Sequence, residues 1–369
     1  MDMQRRDFVK KAALGAVAGG VLSGCGRAAV EGPAVQTRPS VRWNLASSFG
    51  PSLDVLYGAC KLLSRRVSEL TDGRFQIRVY AAGEVVPPLQ VMDAVQQGTV
   101  EVGQSASYYF VGKNPALAFD TTIPFGLTGR QQVAWMYHGG GLELMREVFA
   151  DFNMINFPGG GTGAQMGGWF RHEIPSMQDL RGLRMRIPAM GGEVMSRMGV
   201  SVQVLSGADV FPALERGVID AVEWVGPHDD EKLGFHRVAR YYYYPGWWEP
   251  GATLSFMVNR RAWDRLPDLY KSAFEVASAE VSQDMLASYD TKNPAALTRL
   301  LKEGVQLRAF SKDIMETGEQ VTHDRMEELA AREKGFDKIY TQWKQFKKDS
   351  FHWFAVAEQS FMNQAFPKI

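Results

Sequence analysis

Two arginines at alternate positions give the clearest chemical signal in the chain. Residues 179–188 read Asp-Leu-Arg-Gly-Leu-Arg-Met-Arg-Ile-Pro, which places Arg184 and Arg186 on one face of a short predicted strand. Arg186 lies at the carboxyl end of this strand, where open α/β sheets bind their ligands. A guanidinium in that position can hold a carboxylate through two parallel hydrogen bonds. Composition alone favours a solvated surface arginine, so the carboxylate site is a hypothesis that the fold has to support.

Oxygen donors cluster in three other segments. Glu223 and Trp224 end a second predicted strand. Gln165 lies among glycines, and Glu249 lies between two tryptophans and a proline. Carboxylate, amide and main-chain carbonyl oxygens are hard donors, which suit Na⁺ or Ca²⁺ better than zinc. The alternative is a structural role, since tryptophan-rich turns usually serve packing.

The chain lacks the familiar catalytic signatures. It contains no Gly-x-x-x-x-Gly-Lys-Ser/Thr loop, no Gly-x-Ser-x-Gly elbow and no His-Glu-x-x-His pair. The run His-Asp-Asp-Glu at 228–231 resembles a metal site, but consecutive helical residues point in different directions, so a solvated helix start is the favoured interpretation. No nucleophile is paired with a base, which indicates binding rather than catalysis.

Composition excludes several other classes of protein. Among 369 residues, 41 Lys and Arg balance 41 Asp and Glu, and this zero net charge argues against a nucleic-acid partner. The 2 cysteines exclude a disulfide framework and a cysteine-based zinc site. Cys60 falls on the apolar stripe of a predicted helix, so we interpret it as a core residue.

The elements that must position these residues alternate between strand and helix. Residues 41–46 and 75–80 alternate like strands, and the segment between them carries apolar residues at steps of three and four, which is typical of an amphipathic helix. This β-α-β order predicts a mainly parallel sheet covered by helices. After residue 260 the pattern is largely helical.

A repeated pattern predicts two related units. Residues 91–102 resemble residues 210–221, and Gly98 and Gly217 close a short helix at the same offset in each copy. A short strand follows each glycine. Two similar α/β units predict two lobes, with a ligand cleft between them.

The first 25 residues resemble an export signal. An Arg-Arg-Asp-Phe-Val-Lys motif at 5–10 is typical of twin-arginine export, and the apolar run at 12–22 is too short to span a bilayer. Leu-Ser-Gly-Cys at 22–25 resembles a lipobox, in which Cys25 becomes the acylated first residue; a plain signal peptide cleaved nearby is the alternative. Residues 26–40 are predicted to be a flexible linker.

Together these segments resemble the solute-binding proteins of tripartite ATP-independent periplasmic (TRAP) transporters, the DctP-type superfamily. Within it they resemble the branch that binds α-keto acids or lactate with a metal ion. The resemblance covers nearly all of residues 41–369, and it is strongest in the glycine-rich, arginine-strand, Glu-Trp-Val-Gly-Pro and Trp-Trp-Glu-Pro-Gly segments. It implies a bilobal periplasmic-binding-protein-like fold, with two α/β lobes, hinge segments and a long C-terminal helix.

The resemblance also implies roles for individual residues. Arg186 matches the arginine that forms a salt bridge with the ligand carboxylate. The positions that match ligands of a bound Na⁺ or Ca²⁺ are Gln165, Glu223, the Trp224 main-chain oxygen and Glu249. Arg171 and the pair Tyr108 and Tyr109 match positions that line the cleft, and which tyrosine faces the ligand stays open. The implied substrate-binding set is Gln165, Arg186, Tyr108, Arg171 and Trp224.

The implied domains are two discontinuous lobes and a terminal helix. Lobe I comprises residues 41–163 and 252–291, and lobe II comprises 164–251 and 292–339. Residues 340–369 form a C-terminal helix that, in this branch, often exchanges between subunits of a homodimer. From the residues alone, this aromatic tail either packs on a partner or folds back on its own lobe.

The implied function is extracytoplasmic capture of a small 2-oxo or 2-hydroxy monocarboxylate, such as pyruvate or lactate, and its delivery to membrane permease subunits. One alternative is a larger carboxylate, such as a sugar acid or an aromatic acid, because the adjacent tryptophans leave room for ring stacking. A metal-dependent lyase is the other alternative, but the cleft offers it no free general base. We therefore expect no enzymatic activity.

Overall fold

The computed structural model describes residues 38–367, which form two β-sheets and the helices that cover them. The predicted twin-arginine motif, the lipobox with Cys25 and most of the predicted linker lie outside the described residues. Within the described part, no helix combines the length and the hydrophobicity that a membrane span requires.

The first sheet has five strands in the order β2-β1-β3-β10-β4. Strand β1 pairs in parallel with β2 and β3, as the β-α-β pattern predicted, whereas β10 runs antiparallel to β3 and β4. These strands are β1 (Val41–Ser47), β2 (Phe75–Tyr80), β3 (Val102–Ser105), β4 (Met154–Gly161) and β10 (Thr253–Asn259).

The second sheet has six strands in the order β11-β9-β5-β8-β6-β7. Strand β6 lies parallel to both β7 and β8, and β5 runs antiparallel to β8 and β9. The strands are β5 (Trp169–Phe170), β6 (Arg184–Arg186), β7 (Ser201–Gln203), β8 (Ala221–Val222), β9 (Tyr241–Tyr244) and β11 (Gln306–Ala309).

Helices cover both sheets. Those before residue 240 are α1 (Leu56–Leu70), α2 (Val91–Gln97), α3 (Ala118–Thr121), α4 (Gly129–His138), α5 (Gly141–Ala150), α6 (Ala189–Arg197), α7 (Gly207–Glu215) and α8 (Pro227–Leu233). Those after it are α9 (Arg260–Asp264), α10 (Asp268–Lys302), α11 (Lys312–Arg332), α12 (Lys334–Phe354) and α13 (Ser360–Ala365). Cys60 lies fully buried on the apolar face of α1, which confirms its core role, and burial raises the pKa of its thiol.

The predicted repeat appears once beside each sheet. Helix α2 ends at Gly98 with φ 76°, and α7 is followed by Gly217 with φ 68°, so both glycines adopt the left-handed conformation that other residues adopt at a penalty. The strand after the first copy, β3, belongs to the five-stranded sheet, and the strand after the second, β8, belongs to the six-stranded sheet. One α/β unit thus contributes to each of the two sheets.

The C-terminal helices behave differently along their length. Helix α12 packs Ile339, Tyr340 and Trp343 into the core, so this part folds back on its own chain. Farther on, the side chains of Trp353 and Phe361 are 61% and 65% exposed. The aromatic face therefore continues past the surface that the described chain covers.

Candidate functional site

Arg186 is the last residue of β6, and it is almost completely buried, with 1% of its surface exposed. Its Nη1 donates a 3.0 Å hydrogen bond to Glu223 Oε2 and another to the Glu223 main-chain oxygen. Its guanidinium carbon lies 4.7 Å from the centroid of the Trp224 ring. These contacts fix a buried cation in one orientation, which is what recognition of a carboxylate requires.

The strand order explains why Arg186 meets Glu223. Strands β6 and β8 are parallel neighbours, and Arg186 lies opposite Val222 in their register. The residues that follow Val222 therefore emerge beside the end of β6, and the Glu223 N–H donates to the Arg186 carbonyl at 3.0 Å. The rule that ligands bind at the carboxyl ends of parallel strands predicts this meeting.

Two loops bring the remaining oxygen donors to the same place. The Gln165 N–H donates to the Glu249 carbonyl at 3.3 Å, and the Met166 N–H donates to the Val225 carbonyl at 3.0 Å. The glycine-rich loop lies so close to β8 that a Cβ on Gly168 would lie 2.4 Å from the Val222 carbonyl oxygen. Gln165, Glu223 and Glu249 are all buried, so the sequence-predicted donors come together as a buried cluster.

A tyrosine pair reaches this cluster from the other sheet. Tyr108 and Tyr109 lie in the 3₁₀ turn Ser107–Phe110, which follows β3. The Tyr109 hydroxyl accepts a 3.4 Å hydrogen bond from Arg186 Nη2, and the Tyr108 hydroxyl donates to Glu249 Oε2 at 3.3 Å. Both phenols therefore contact the cluster, Tyr109 at the guanidinium and Tyr108 at the carboxylate.

A buried aspartate that the sequence did not single out holds this tyrosine turn. Asp120 accepts hydrogen bonds from the hydroxyls of Ser107 and Ser255 and, at 2.7 Å, from Asn156 Nδ2. The Tyr108 N–H donates to the Thr121 hydroxyl at 3.3 Å. Nothing in the spacing of Asp120 distinguishes it from other helical aspartates, because its partners come from three separate segments.

Arg171 does not join the other predicted residues. Its Nη2 donates to the carbonyl oxygens of Leu214 and Glu215, the last residues of α7. Its N–H donates to the Asp220 carbonyl at 3.1 Å, at the amino end of β8. Because β5 runs antiparallel to β8, the residue after β5 lies at the opposite end of β8 from Glu223. The Arg171 guanidinium therefore caps the C-terminal end of α7.

The predicted solvated helix start at 228–231 is wrong. Asp229 and Asp230 on α8 are 0% and 1% exposed. The Tyr289 hydroxyl donates to Asp229 Oδ2 at 2.6 Å, and Asp230 accepts from Trp169 and Tyr242. Desolvation raises the pKa of Asp229 to about 7 and that of Asp230 to about 6. The burial follows from α8 lying between β5 and β9 on one side and α10 on the other.

Unpaired buried oxygens mark where a cation fits. Gln165 Oε1 and Glu223 Oε1 are buried, and neither has a hydrogen-bond partner within residues 38–367. Burial and the mutual repulsion of the two carboxylates raise the pKa of Glu223, and burial raises that of Glu249. Arg186 supplies one positive charge to two carboxylates. A cation would satisfy both orphaned oxygens and offset the excess negative charge, so the donor set fits Na⁺ or Ca²⁺.

Comparison with known proteins identifies the family. The model of the DctP family, "Bacterial extracellular solute-binding protein, family 7", matches residues 46–333. A monocarboxylate 2-oxoacid-binding periplasmic protein of Nostoc sp. strain PCC 7120 is 51% identical over 364 residues, which is 98% of this chain and 99% of the relative.

Two solved TRAP transporter solute-binding proteins extend this likeness. The protein of Bordetella bronchiseptica RB50, a mixed-occupancy dimer with copurified calcium and picolinate in one active site, is 47% identical with a TM-score of 0.88, over 89% of this chain and 98% of its own. The protein of Pseudoalteromonas atlantica T6c, with bound sodium and pyruvate, is 40% identical with a TM-score of 0.86, over 89% and 100%.

The likeness confirms the predicted bilobal α/β fold. Proteins of this family bind solutes outside the cytoplasm and serve their transport, and they are not enzymes. The chain therefore belongs to family 7 of the bacterial extracellular solute-binding proteins.

Proposed function

We propose that this protein captures a small 2-oxo or 2-hydroxy monocarboxylate, together with Na⁺ or Ca²⁺, for delivery to the membrane subunits of a TRAP transporter. The observation that carries the proposal is the buried guanidinium of Arg186 beside two unpaired buried oxygens, those of Gln165 and Glu223. The 2-oxoacid-binding relative and the pyruvate in a solved relative support the choice of ligand.

The proposed division of labour follows the chemistry of each group. Arg186 holds the carboxylate. Oxygens of Gln165, Glu223, Glu249 and the Trp224 main chain hold the cation, which supplies a second positive charge that the acid can chelate through its carboxylate and its 2-oxygen. Tyr108 and Tyr109 close the site from the first sheet, since their hydroxyls already contact Glu249 and Arg186.

The size of the ligand makes the cation necessary for tight binding. Pyruvate has six heavy atoms, and the best tiny ligands reach about −1.5 kcal/mol per atom, which sets a ceiling of about −9 kcal/mol, near micromolar affinity. A single arginine satisfies only the carboxylate. The cation satisfies the 2-oxygen as well, so acids without a 2-oxygen lose the chelate and bind more weakly.

Calorimetry with and without a chelator tests the proposal. Pyruvate should bind at about micromolar affinity in calcium or sodium, and much more weakly after the protein is dialysed against chelator into a buffer free of both cations. Propionate serves as the matched ligand, because it lacks only the 2-oxygen, and its weak binding should respond little to the cation. Equal pyruvate affinity with and without cations would refute the chelate.

An aromatic 2-carboxylate is a second candidate ligand. The buried ring of Trp224 packs on the Arg186 guanidinium, and the buried Trp247 and Trp248 precede Glu249 in the chain, so aromatic side chains lie next to site residues. A solved relative copurified with picolinate, whose ring nitrogen lies next to its carboxylate as the 2-oxygen does in pyruvate. Competition of picolinate against pyruvate in the same calorimeter ranks the two.

Export, anchoring, domain division and assembly complete the proposal. We propose that the chain is exported by the twin-arginine route and acylated at Cys25. We also propose that residues 41–163 with 252–291 form one lobe and residues 164–251 with 292–339 form the other. We also propose a homodimer formed through the C-terminal helix, because Trp353 and Phe361 are exposed on it. Labelling of cells with a fatty-acid analogue tests the acylation, since Cys25→Ser should abolish the label.

A further inference from the structure

A buried carboxylate on α8 reaches back to the segment that the proposed cation ligands occupy. Asp230 Oδ1 accepts hydrogen bonds from the N–H of Val225 at 3.3 Å and from the N–H of Gly226 at 3.2 Å. Asp230 is 1% exposed and lies six residues after Trp224, so it faces the peptide bond that joins Trp224 to Val225.

The planarity of that peptide bond links the two residues. In a trans peptide the C=O of one residue and the N–H of the next are held in one plane and point in opposite directions. Asp230 anchors the Val225 N–H, and the same bond unit carries the Trp224 C=O. Fixing the N–H therefore fixes the direction of the carbonyl, which points away from Asp230.

We propose that Asp230 is a positioning residue that aims the Trp224 carbonyl at the bound cation. The inference rests on the proposed function, because it takes the Trp224 carbonyl as a cation ligand. An anion on the N–H also polarises the peptide, so the carbonyl oxygen becomes a stronger donor. Groups that orient a metal ligand without touching the metal typically change metal affinity about 10- to 100-fold when they are removed.

Asp230 is itself held rigidly enough for this role. Its Oδ2 accepts from Trp169 Nε1 at 2.9 Å and from the Tyr242 hydroxyl at 2.7 Å. The rings of Trp169 and Tyr242 stack with centroids 4.0 Å apart and planes at 14°. Both donors come from central strands of the six-stranded sheet, so the carboxylate is fixed to the rigid part of the fold.

The neighbouring residue provides a matched control. Asp229 lies on the same helix, has the same side chain and is also completely buried. Its carboxylate accepts from the Tyr289 hydroxyl at 2.6 Å and makes no hydrogen bond to residues 224–226. Asp229→Asn therefore removes a buried carboxylate of the same type without releasing the Trp224–Val225 peptide.

Selective labelling makes this peptide visible on its own. Trp224-Val225 is the only Trp-Val pair in the sequence, so protein labelled with carbonyl-¹³C tryptophan and ¹⁵N valine gives one cross-peak in an HNCO spectrum. In cation-free protein the Asp230→Asn variant should move this amide proton upfield, because the charged acceptor is lost, whereas Asp229→Asn should leave it in place. In wild-type protein, calcium with pyruvate should shift the carbonyl carbon.

Calorimetric titration of calcium into protein saturated with pyruvate supplies the second readout. Asp230→Asn should bind calcium about 10- to 100-fold more weakly, with Asp229→Asn near the wild type. Wild-type calcium affinity in Asp230→Asn, or equal losses in both variants, overturns the positioning role alone. If calcium with pyruvate leaves the Trp224 carbonyl carbon shift of the wild type unchanged, the carbonyl is not a cation ligand, and this inference fails with that assignment.

A second variant covers the case in which Asp230→Asn does not fold. Tyr242→Phe keeps the charge of Asp230 and removes one of the bonds that hold it. It should weaken calcium binding severalfold and move the same cross-peak less. An unchanged cross-peak and unchanged calcium affinity in Tyr242→Phe count against the proposal.

Discussion

Replacing Arg186 by lysine separates the shape of the guanidinium from its charge. The lysine ammonium still offsets the buried charge of Glu223, which Arg186 contacts at 3.0 Å. It cannot form the planar fork that holds a carboxylate by two parallel bonds. The variant therefore keeps the electrostatics of the site approximately and removes the bidentate geometry.

The contacts of Arg186 set the size of the expected loss. A hydrogen bond to a charged group contributes about 1.5–3 kcal/mol, and the variant loses at least one such bond to the ligand. The carbonyls of Glu223 and Leu205 accept from the guanidinium, and a lysine leaves at least one of these acceptors unsatisfied, which lowers the stability of the free and the bound protein alike and leaves the affinity to the ligand contacts. The lost bond to the ligand, about 1.5–3 kcal/mol, corresponds to pyruvate binding about 10- to 150-fold weaker.

Calorimetry with pyruvate in saturating calcium measures this loss. Arg184→Lys is the matched control, because Arg184 lies two residues earlier on the same strand, where its exposed guanidinium bonds to Asp220 at 2.6 Å. The control should bind pyruvate within about twofold of the wild type, as exposed ion pairs contribute little. Near-normal binding by Arg186→Lys would show that the guanidinium does not hold the carboxylate.

Three further predictions concern the cation, pH and assembly. Glu223→Gln should weaken calcium binding at least about tenfold by calorimetry, because it removes a buried carboxylate whose Oε1 has no partner among the described residues. Burial raises the pKa of Asp229 to about 7 in the native state, against 3.8 for an ordinary aspartate. The native state therefore keeps this proton where the unfolded chain loses it, so the free energy of unfolding should fall by up to about 1.4 kcal/mol per pH unit as pH rises between these values. Denaturant titrations across this range should show a shallower fall in Asp229→Asn. Phe361→Glu should shift a dimer towards monomer in sedimentation velocity, whereas Asn363→Glu on the same helix should not.

The sequence predicted the centre of the site because one rule about parallel strands was sufficient. Arg186 and Glu223 each end a short strand, and strands of a parallel sheet present their carboxyl ends at the same edge. Gln165 and Glu249 are recognisable from their glycine-rich and tryptophan-rich settings together with the family resemblance. The two lobes can be predicted from the repeated order of helix, glycine and strand. A position with positive φ favours glycine, so the end of each short helix is recognisable from the residue type.

The errors come from strand order and direction, which no local pattern records. Asp230 was expected in solvent, but its partners Trp169 and Tyr242 lie on strands that meet it only in the completed sheet. Arg171 was expected in the cleft, but the antiparallel direction of β5 carries it to the far end of β8. The hydrophobic pattern could not show either fact, because both depend on contacts between segments distant in sequence.

A crystal structure of the protein grown with calcium and pyruvate, with anomalous diffraction to locate the cation, decides the chemistry of the site. We expect one calcium at about 2.3–2.6 Å from Gln165 Oε1, Glu223 Oε1 and the Trp224 carbonyl oxygen. We expect pyruvate to bind this calcium through its carboxylate and 2-oxygen, with both carboxylate oxygens within hydrogen-bond distance of Arg186. Calcium at any other position, or pyruvate that contacts only one of the two positive centres, would contradict the proposed capture of a 2-oxo acid between a guanidinium and a cation.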